Sequence, residues 1–232
     1  MKYSVKRLHN RSVYKTKSKF KTKSKLNKNI INLIIKQNKD KLNNTDLLAY
    51  ILSIIMKDYL IDQKEYMIIA SYCLKEYREV SDLDVMITPN SYNMLKKHLL
   101  SSGIGVVSIA KISKDERIVI SLPTISNDAE IEIFAKEEHL GFPSNKYALK
   151  RLRNKRLLDI DKYGNQYLNI DMCIDLYSDV KKIDDKYYIG NFTITKERVH
   201  KNINHLTKIL ENRKDKAKII TKKIKYLEKL IT

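Results

Sequence analysis

Residues Glu65–Thr88, EYMIIASYCLKEYREVSDLDVMIT, decide how the rest of the chain is read. Tyr66–Ala70 is a short apolar run of strand type. Ser71 follows, then a charged connection. Asp82-Leu83-Asp84 leads into a second apolar run, Val85-Met86-Ile87. Side chains alternate along a strand, so Asp82 and Asp84 point to one face. Carboxylates that close repel unless a cation sits between them. A divalent metal such as Mg²⁺ (or Mn²⁺) is the usual partner, since it prefers oxygen ligands and keeps positions open for phosphate.

A third acid lies further on. Ala129-Glu130-Ile131-Glu132-Ile133-Phe134 again alternates, with Glu130 and Glu132 on one face and Ile131 and Ile133 on the other. A strand here beside the Asp82 strand would bring a glutamate to the pair. Three carboxylates on neighbouring strands suit two-metal phosphoryl transfer.

Ile69-Ala70-Ser71, ten residues, Asp82-x-Asp84 and a later apolar-Glu-apolar strand together resemble the DNA polymerase β-like nucleotidyltransferase superfamily. The resemblance covers roughly Thr45 to Phe134. It departs at Ala70, where the family carries glycine before the serine. It implies an α+β fold with a mixed sheet and flanking helices. It also implies transfer of a nucleoside monophosphate from an NTP such as ATP to an acceptor hydroxyl. Asp82, Asp84 and Glu132 would be the catalytic, metal-binding carboxylates, and Ser71 would contact phosphate. Glu132 is preferred to Glu130 because Ile131 and Ile133 flank it as apolar residues flank the family's third carboxylate. Around GFPSNKYAL (141–149) and KNINHL (201–206) the chain is also similar to family members of large DNA viruses.

Between the two strands, Lys75 and Arg78 offer cations for a triphosphate, or are simply charges of a solvated loop. Lys111 and Arg117, around the turn at 113–116, are further cations on expected strands. Pro89–Ser101 reads as a helix with Tyr92, Leu95, Leu99 and Leu100 on its apolar side. Upstream, Asn44-Thr45-Asp46 offers a helix start before a stripe of Leu47, Leu48, Ile51, Ile54 and Ile55. Gly103-x-Gly105 lacks the strand-turn-helix frame of a phosphate loop.

The chain has 232 residues and a formal net charge of +19. Residues 1–28 hold eleven Lys and Arg and no acid. From Lys15 to Lys25 every second residue is lysine, which no strand would stack on one face, so 1–28 reads as a disordered basic tail. It is either a nucleic-acid tether or a solubilising or targeting segment. Three regions are expected: this tail, a nucleotidyltransferase core at 29–140, and a helical C-terminal region at 141–232. In the last, a basic helix after Ser144 carries Tyr147, and Asp161–Asn165 is a turn. Apolar residues from Ile203 to Ile231 form a seam of alternating three and four spacing. That seam packs on the core or on a second copy of the chain.

Two cysteines, Cys73 and Cys173, make no disulfide framework, so a reducing, intracellular compartment is the default. No apolar run approaches ~18 residues, and no membrane span is expected. The five histidines form no metal pattern. Against the enzyme stand two rivals on the same fold: a nucleic-acid-binding module with weak or no catalysis, and an antitoxin-type protein that pairs with a second chain.

Overall fold

The computed structural model describes residues 26–102, 106–112, 115–135, 156–189 and 192–232. Most of the basic tail, Gly103-x-Gly105 and the helix expected after Ser144 lie outside the described residues, Tyr147 included. The chain is mixed α+β. Helices α1 (Lys28–Asn38) and α2 (Asn44–Asp58) precede strand β1 (Tyr66–Ile69), which runs into a 3₁₀ turn, Ala70–Leu74. Then come β2 (Asp82–Ile87), α3 (Pro89–Ser102), β3 (Val106–Ile112), β4 (Asp115–Ser121) and β5 (Glu130–Phe134). Next are β6 (Leu158–Ile160), β7 (Gln166–Leu168), α4 (Ile170–Ser178), β8 (Val180–Ile183), β9 (Lys186–Ile189) and β10 (Phe192–Ile194). Helices α5 (Lys196–Asn212) and α6 (Ala217–Ile231) close the fold, joined through a 3₁₀ turn at Lys214–Lys216.

One mixed sheet has the strand order β3-β4-β5-β2-β1-β7-β6. The pair β2–β5 is parallel, while β1–β2 and β4–β5 are antiparallel. The expected helical region thus supplies two strands to this sheet. It also forms a small sheet of its own, β10-β9-β8. The β8–β9 turn carries positive φ at Asp184 (48°) and Asp185 (63°). That is the twist a tight two-residue hairpin needs, and aspartate tolerates it better than most residues.

Alternation along the strands divides the core in two. On one face, Ile68, Leu83, Val85, Ile87, Ile131 and Ile133 pack with Leu47, Leu48, Ile51, Leu52 and Ile55 of α2 and with α3. On the other, Met67, Ile69, Met86 and Phe134 pack with Cys173 and Leu176 of α4, Val199 and Leu206 of α5, and Ile220 and Leu227 of α6. The C-terminal seam is therefore spent on the chain's own sheet, where Leu206, Ile220 and Leu227 are fully buried. Two helices broken at Arg213 form it.

Small polar ties set the loops. The cap of α2 is Asn43, whose side chain accepts from Asp46 N–H. Thr45, expected near the cap, instead exchanges hydrogen bonds with Val80: its hydroxyl donates to the carbonyl at 3.0 Å and accepts from the N–H at 2.6 Å. This pins the segment just before Asp82. The Asp161–Asn165 turn forms a buried knot. Tyr72 OH donates to Asp161 Oδ2 at 2.7 Å, Tyr66 OH donates to Asn165 Oδ1 at 2.9 Å, and Asn165 Nδ2 donates to the Ala49 carbonyl at 3.0 Å. Gly164 closes the turn at φ +89°, where a Cβ would fall 2.7 Å from Gln63 Nε2. At the other end of the chain, Leu26 is already buried and Asn27 caps α1, so packed structure begins inside the expected tail.

The cysteines correct the sequence expectation. Cys73 and Cys173 form a disulfide with Cα atoms 6.6 Å apart. Nothing in the sequence announces it, because the two meet only when α4 lies across the 3₁₀ turn. Among the described residues no helix is long and apolar enough to cross a membrane.

The bond closes a loop of 100 residues. In the chain-entropy treatment such a loop is worth about 4.7 kcal/mol. Urea unfolding with and without reductant should show a loss of that order, and Cys73→Ala/Cys173→Ala should abolish the difference. An unchanged midpoint on reduction would show that the bond carries no stability.

Candidate functional site

The floor of the site follows from strand parity. Leu83 and Val85 face α2, so Asp82 and Asp84 face the C-terminal helices. The same holds for Glu130 and Glu132, because Ile131 and Ile133 face α2. Parallel pairing sets Asp82 opposite Glu130 and Asp84 opposite Glu132. Adjacent strands lie about 4.8 Å apart, so the carboxylates feel one another. Burial, Asp82 and Glu132, in that order, push the Asp84 carboxyl up to about 7. Glu130 does not figure among those influences. Its Oε1 accepts from Ser121 Oγ at 2.8 Å, whereas Glu132 is ion-paired with Arg117 of β4.

Ile69 pairs with Asp84 across β1–β2, so the chain leaves the sheet at Ala70 and Ser71 beside the acids. Ala70 opens a 3₁₀ turn. That backbone has negative φ, which alanine adopts without strain. The Cys73–Cys173 bond and the Tyr72–Asp161 hydrogen bond hold this turn from two sides.

The roof comes from α4 and α5. Arg198, in the first turn of α5, lowers the Asp84 carboxyl electrostatically, as Arg117 does. Tyr177, at the end of α4, is held above the ordinary phenol range first by burial, and it feels both Arg198 and Arg78 and both Asp84 and Asp82. Its ring lies 4.7 Å from that of His205 on α5. Burial, then Arg78, Lys201 and Arg198, lower His205 from 6.5 to about 4. The His205 imidazole is therefore neutral at physiological pH. Asn202 Nδ2 donates to the Tyr177 carbonyl at 3.0 Å. Among the described residues, three buried polar atoms here have no partner: Tyr177 OH, Asn202 Oδ1 and Arg78 Nε. Buried polar groups are normally satisfied, so this gathering beside the acids has unspent capacity to bind a polar ligand.

The structure brings together Asp82, Asp84, Glu132, Ser71 and Arg78 of the residues singled out from sequence. It does not bring Lys75. The Lys75 Nζ sits 4.0 Å over the Tyr167 ring and 4.7 Å over that of Tyr72. Its electrostatic neighbours are Asp161, Glu76, Asp46 and Asp159, not the acid cluster. The 3₁₀ turn reverses the chain after Ser71, so residues four apart leave in different directions. Lys111 lies on β3, three strands from β2.

Sequence reasoning missed Arg198, Tyr177, Asn202 and His205. A signal was available. Val199, Asn202, Leu206 and Ile209 recur at spacings of three and four, and all are buried. An asparagine on an apolar stripe is a residue out of place unless it has polar work to do.

The donor chemistry fits a hard divalent cation, being carboxylate oxygens destabilised by one another. Asp82 and Asp84 would hold it, with Glu132 joining when freed from Arg117. As the side chains stand, no group of three or more His, Cys, Asp or Glu among the described residues is gathered as metal ligands. A separate cavity of about 310 Å³, lined by Tyr59, Glu65, Ser91 and His98 among others, lies at the far end of β1 and β2 from the acids. No protein-family model matches the chain, and neither a curated protein nor a solved structure does.

The two shifted groups give opposite pH signatures. Unfolded His205 takes a proton near 6.5 and folded His205 only near 4, so acidification through that window favours unfolding by on the order of 3 kcal/mol. His205→Gln should remove that loss, seen as a stability difference from wild type that moves in the variant's favour by that amount between pH 7 and 4. Folded Asp84 keeps its proton up to about 7, whereas an unfolded carboxyl loses it near 4. Its ionisation therefore costs stability progressively as pH rises from about 4 to about 7, and the loss is complete above that. Asp84→Asn should raise the melting temperature at pH 8 and leave it unchanged at pH 4. A uniform shift at both pH values would show that the carboxylates do not strain the site.

Proposed function

We propose that the chain is a nucleotidyltransferase of the DNA polymerase β-like kind. It transfers a nucleoside monophosphate from an NTP to an acceptor hydroxyl and releases pyrophosphate. One observation carries this reading. The Asp82/Asp84 strand runs parallel to the Glu132 strand with Asp84 opposite Glu132, under arginines from the C-terminal helices and the 75–81 loop.

The roles follow from position. Ser71, on the turn beside Asp84, donates to a terminal phosphate. Arg78 and Arg198 neutralise the triphosphate, and preorganised charge of this kind is usually the largest catalytic contribution. Tyr177 and Asn202 use their unpaired atoms on the nucleotide's polar edge. The new bond joins the acceptor oxygen to the α-phosphorus, and the bond from that phosphorus to the bridging oxygen breaks. Pyrophosphate leaves with the electron pair, and Glu132 takes the hydroxyl proton once Arg117 has moved off it. Mg²⁺ or Mn²⁺ held by Asp82 and Asp84 supplies charge neutralisation and alignment of the attacking and leaving oxygens.

A second reading has an observation of its own. The Arg117–Glu132 pair occupies the third carboxylate, as befits a module that binds nucleotide without turning it over.

Purified protein incubated with each labelled NTP, Mg²⁺ or Mn²⁺ and total RNA separates the two. Label transfer should fall at least about a hundredfold in Asp82→Ala/Asp84→Ala and vanish with chelator. NTP should raise the wild-type melting temperature by mass action. Stabilisation by NTP without transfer would establish the module. Neither effect would remove nucleotide chemistry altogether.

A further inference from the structure

Helix α6 carries lysines of two kinds. Lys223 points to α4, where its Nζ lies 3.0 Å from Asp175 Oδ1 and 2.6 Å from Ser178 Oγ. Just before the helix, Lys216 likewise pairs with Asp171. Lys218, Lys222, Lys225 and Lys229 make no such contact and are all exposed. At 3.6 residues per turn these four fall within about 60° of arc and span about 16 Å. Ile220 and Leu227, on the opposite side of the helix, are fully buried. The one acid of α6, Glu228, lies off the stripe. A merely solvated face usually carries both signs, whereas this one carries a single sign four times over.

We infer that this lysine stripe is a docking track for a nucleic-acid strand. A polynucleotide presents a phosphate about every 3.4 Å of axis per strand, so about 16 Å of lysines meets several in succession. A base-stacking handle is at hand. Tyr226 lies one turn from Lys222 and Lys229. Its ring is 45% exposed and is held by its hydroxyl, which donates to the Val180 carbonyl at 3.0 Å. Stacking on such a ring is tolerant of sequence. An anionic membrane fits less well, because membrane-surface helices insert a continuous apolar face, whereas Ile220 and Leu227 of α6 are buried in the core and Ile219 is the one aliphatic residue of the helix that is strongly exposed. Two helices joined by a short turn run antiparallel, so the end of α6 that carries Lys225 and Lys229 comes back level with the first turns of α5. As a route for an acceptor hydroxyl the track rests on the nucleotidyltransferase reading. As a binding surface it stands without it.

The test is fluorescence anisotropy of a labelled single-stranded oligoribonucleotide with the full chain, titrated across a range of salt. Each phosphate contact to a single strand contributes about 0.7 to the slope of log affinity against log salt, so replacing all four lysines by Gln should make the slope shallower by about 3. Replacing them by Arg should preserve it. A charge-matched control, Lys57→Gln/Lys64→Gln/Lys97→Gln/Lys186→Gln, should change it by less than about 1. Circular dichroism confirms that each variant folds. The same titration on Asp82→Ala/Asp84→Ala should give the wild-type slope, which keeps failure of the track distinct from failure of the chemistry. Equal slopes in the stripe and control variants would overturn the inference. So would a stripe variant that loses anionic vesicles but holds RNA as before.

Discussion

Mutual repulsion among Asp82, Asp84 and Glu132 is the constraint on which the arrangement turns. Hydrogen-bonded parallel strands hold the three at fixed spacing, and the sheet cannot relax them apart without losing its register. The structure answers the repulsion in three ways. Asp84 retains its proton more tightly than an ordinary carboxyl. Arg117 pairs with Glu132. Arg198 brings opposing charge from the roof. Each answer eases the repulsion without removing it, and mutually strained carboxylates with a raised pKa mark a candidate site.

The same sheet explains why the C-terminal helices belong to the site. A strand buries alternate residues on opposite faces. Putting Leu83, Val85, Ile131 and Ile133 under α2 commits the acids to the side that α4, α5 and α6 cover. Further along those strands, Met86 and Phe134 face that side as well and give the helices an apolar seat. One end of the face is thus an apolar core and the other a cluster of polar and charged side chains. The helices that seal the core are the ones that deliver Tyr177, Arg198, Asn202 and His205.

The connection between β1 and β2 is fixed from several directions at once. Thr45 and Val80 lock its exit, Asp161 holds Tyr72, and Cys173 is bonded to Cys73. None of these partners is near in sequence. Such anchoring fixes Ser71 beside the carboxylates, whereas loop positions otherwise spread over many conformations whose ordering costs entropy.

The strands, the helix stripes and the acids that share a face were legible in the sequence because period two and period three-to-four are local properties of the backbone. Parity alone put Asp82 with Asp84 and Glu130 with Glu132 on shared faces, the choice of Glu132 came from the family resemblance, and Leu47–Ile55 were read from their stripe. Long-range partners had no such signature. The disulfide, the β6–β7 hairpin beside β1, the Arg117–Glu132 pair and the departure of Lys75 toward Tyr167 depend on how elements pack, and packing energy is summed over residues far apart in the chain. So the sequence by itself determined which side chains share a face. Only the tertiary structure decided which face is roofed, and by what, because burial and electrostatic neighbours exist only once the sheet has closed against both layers of helices.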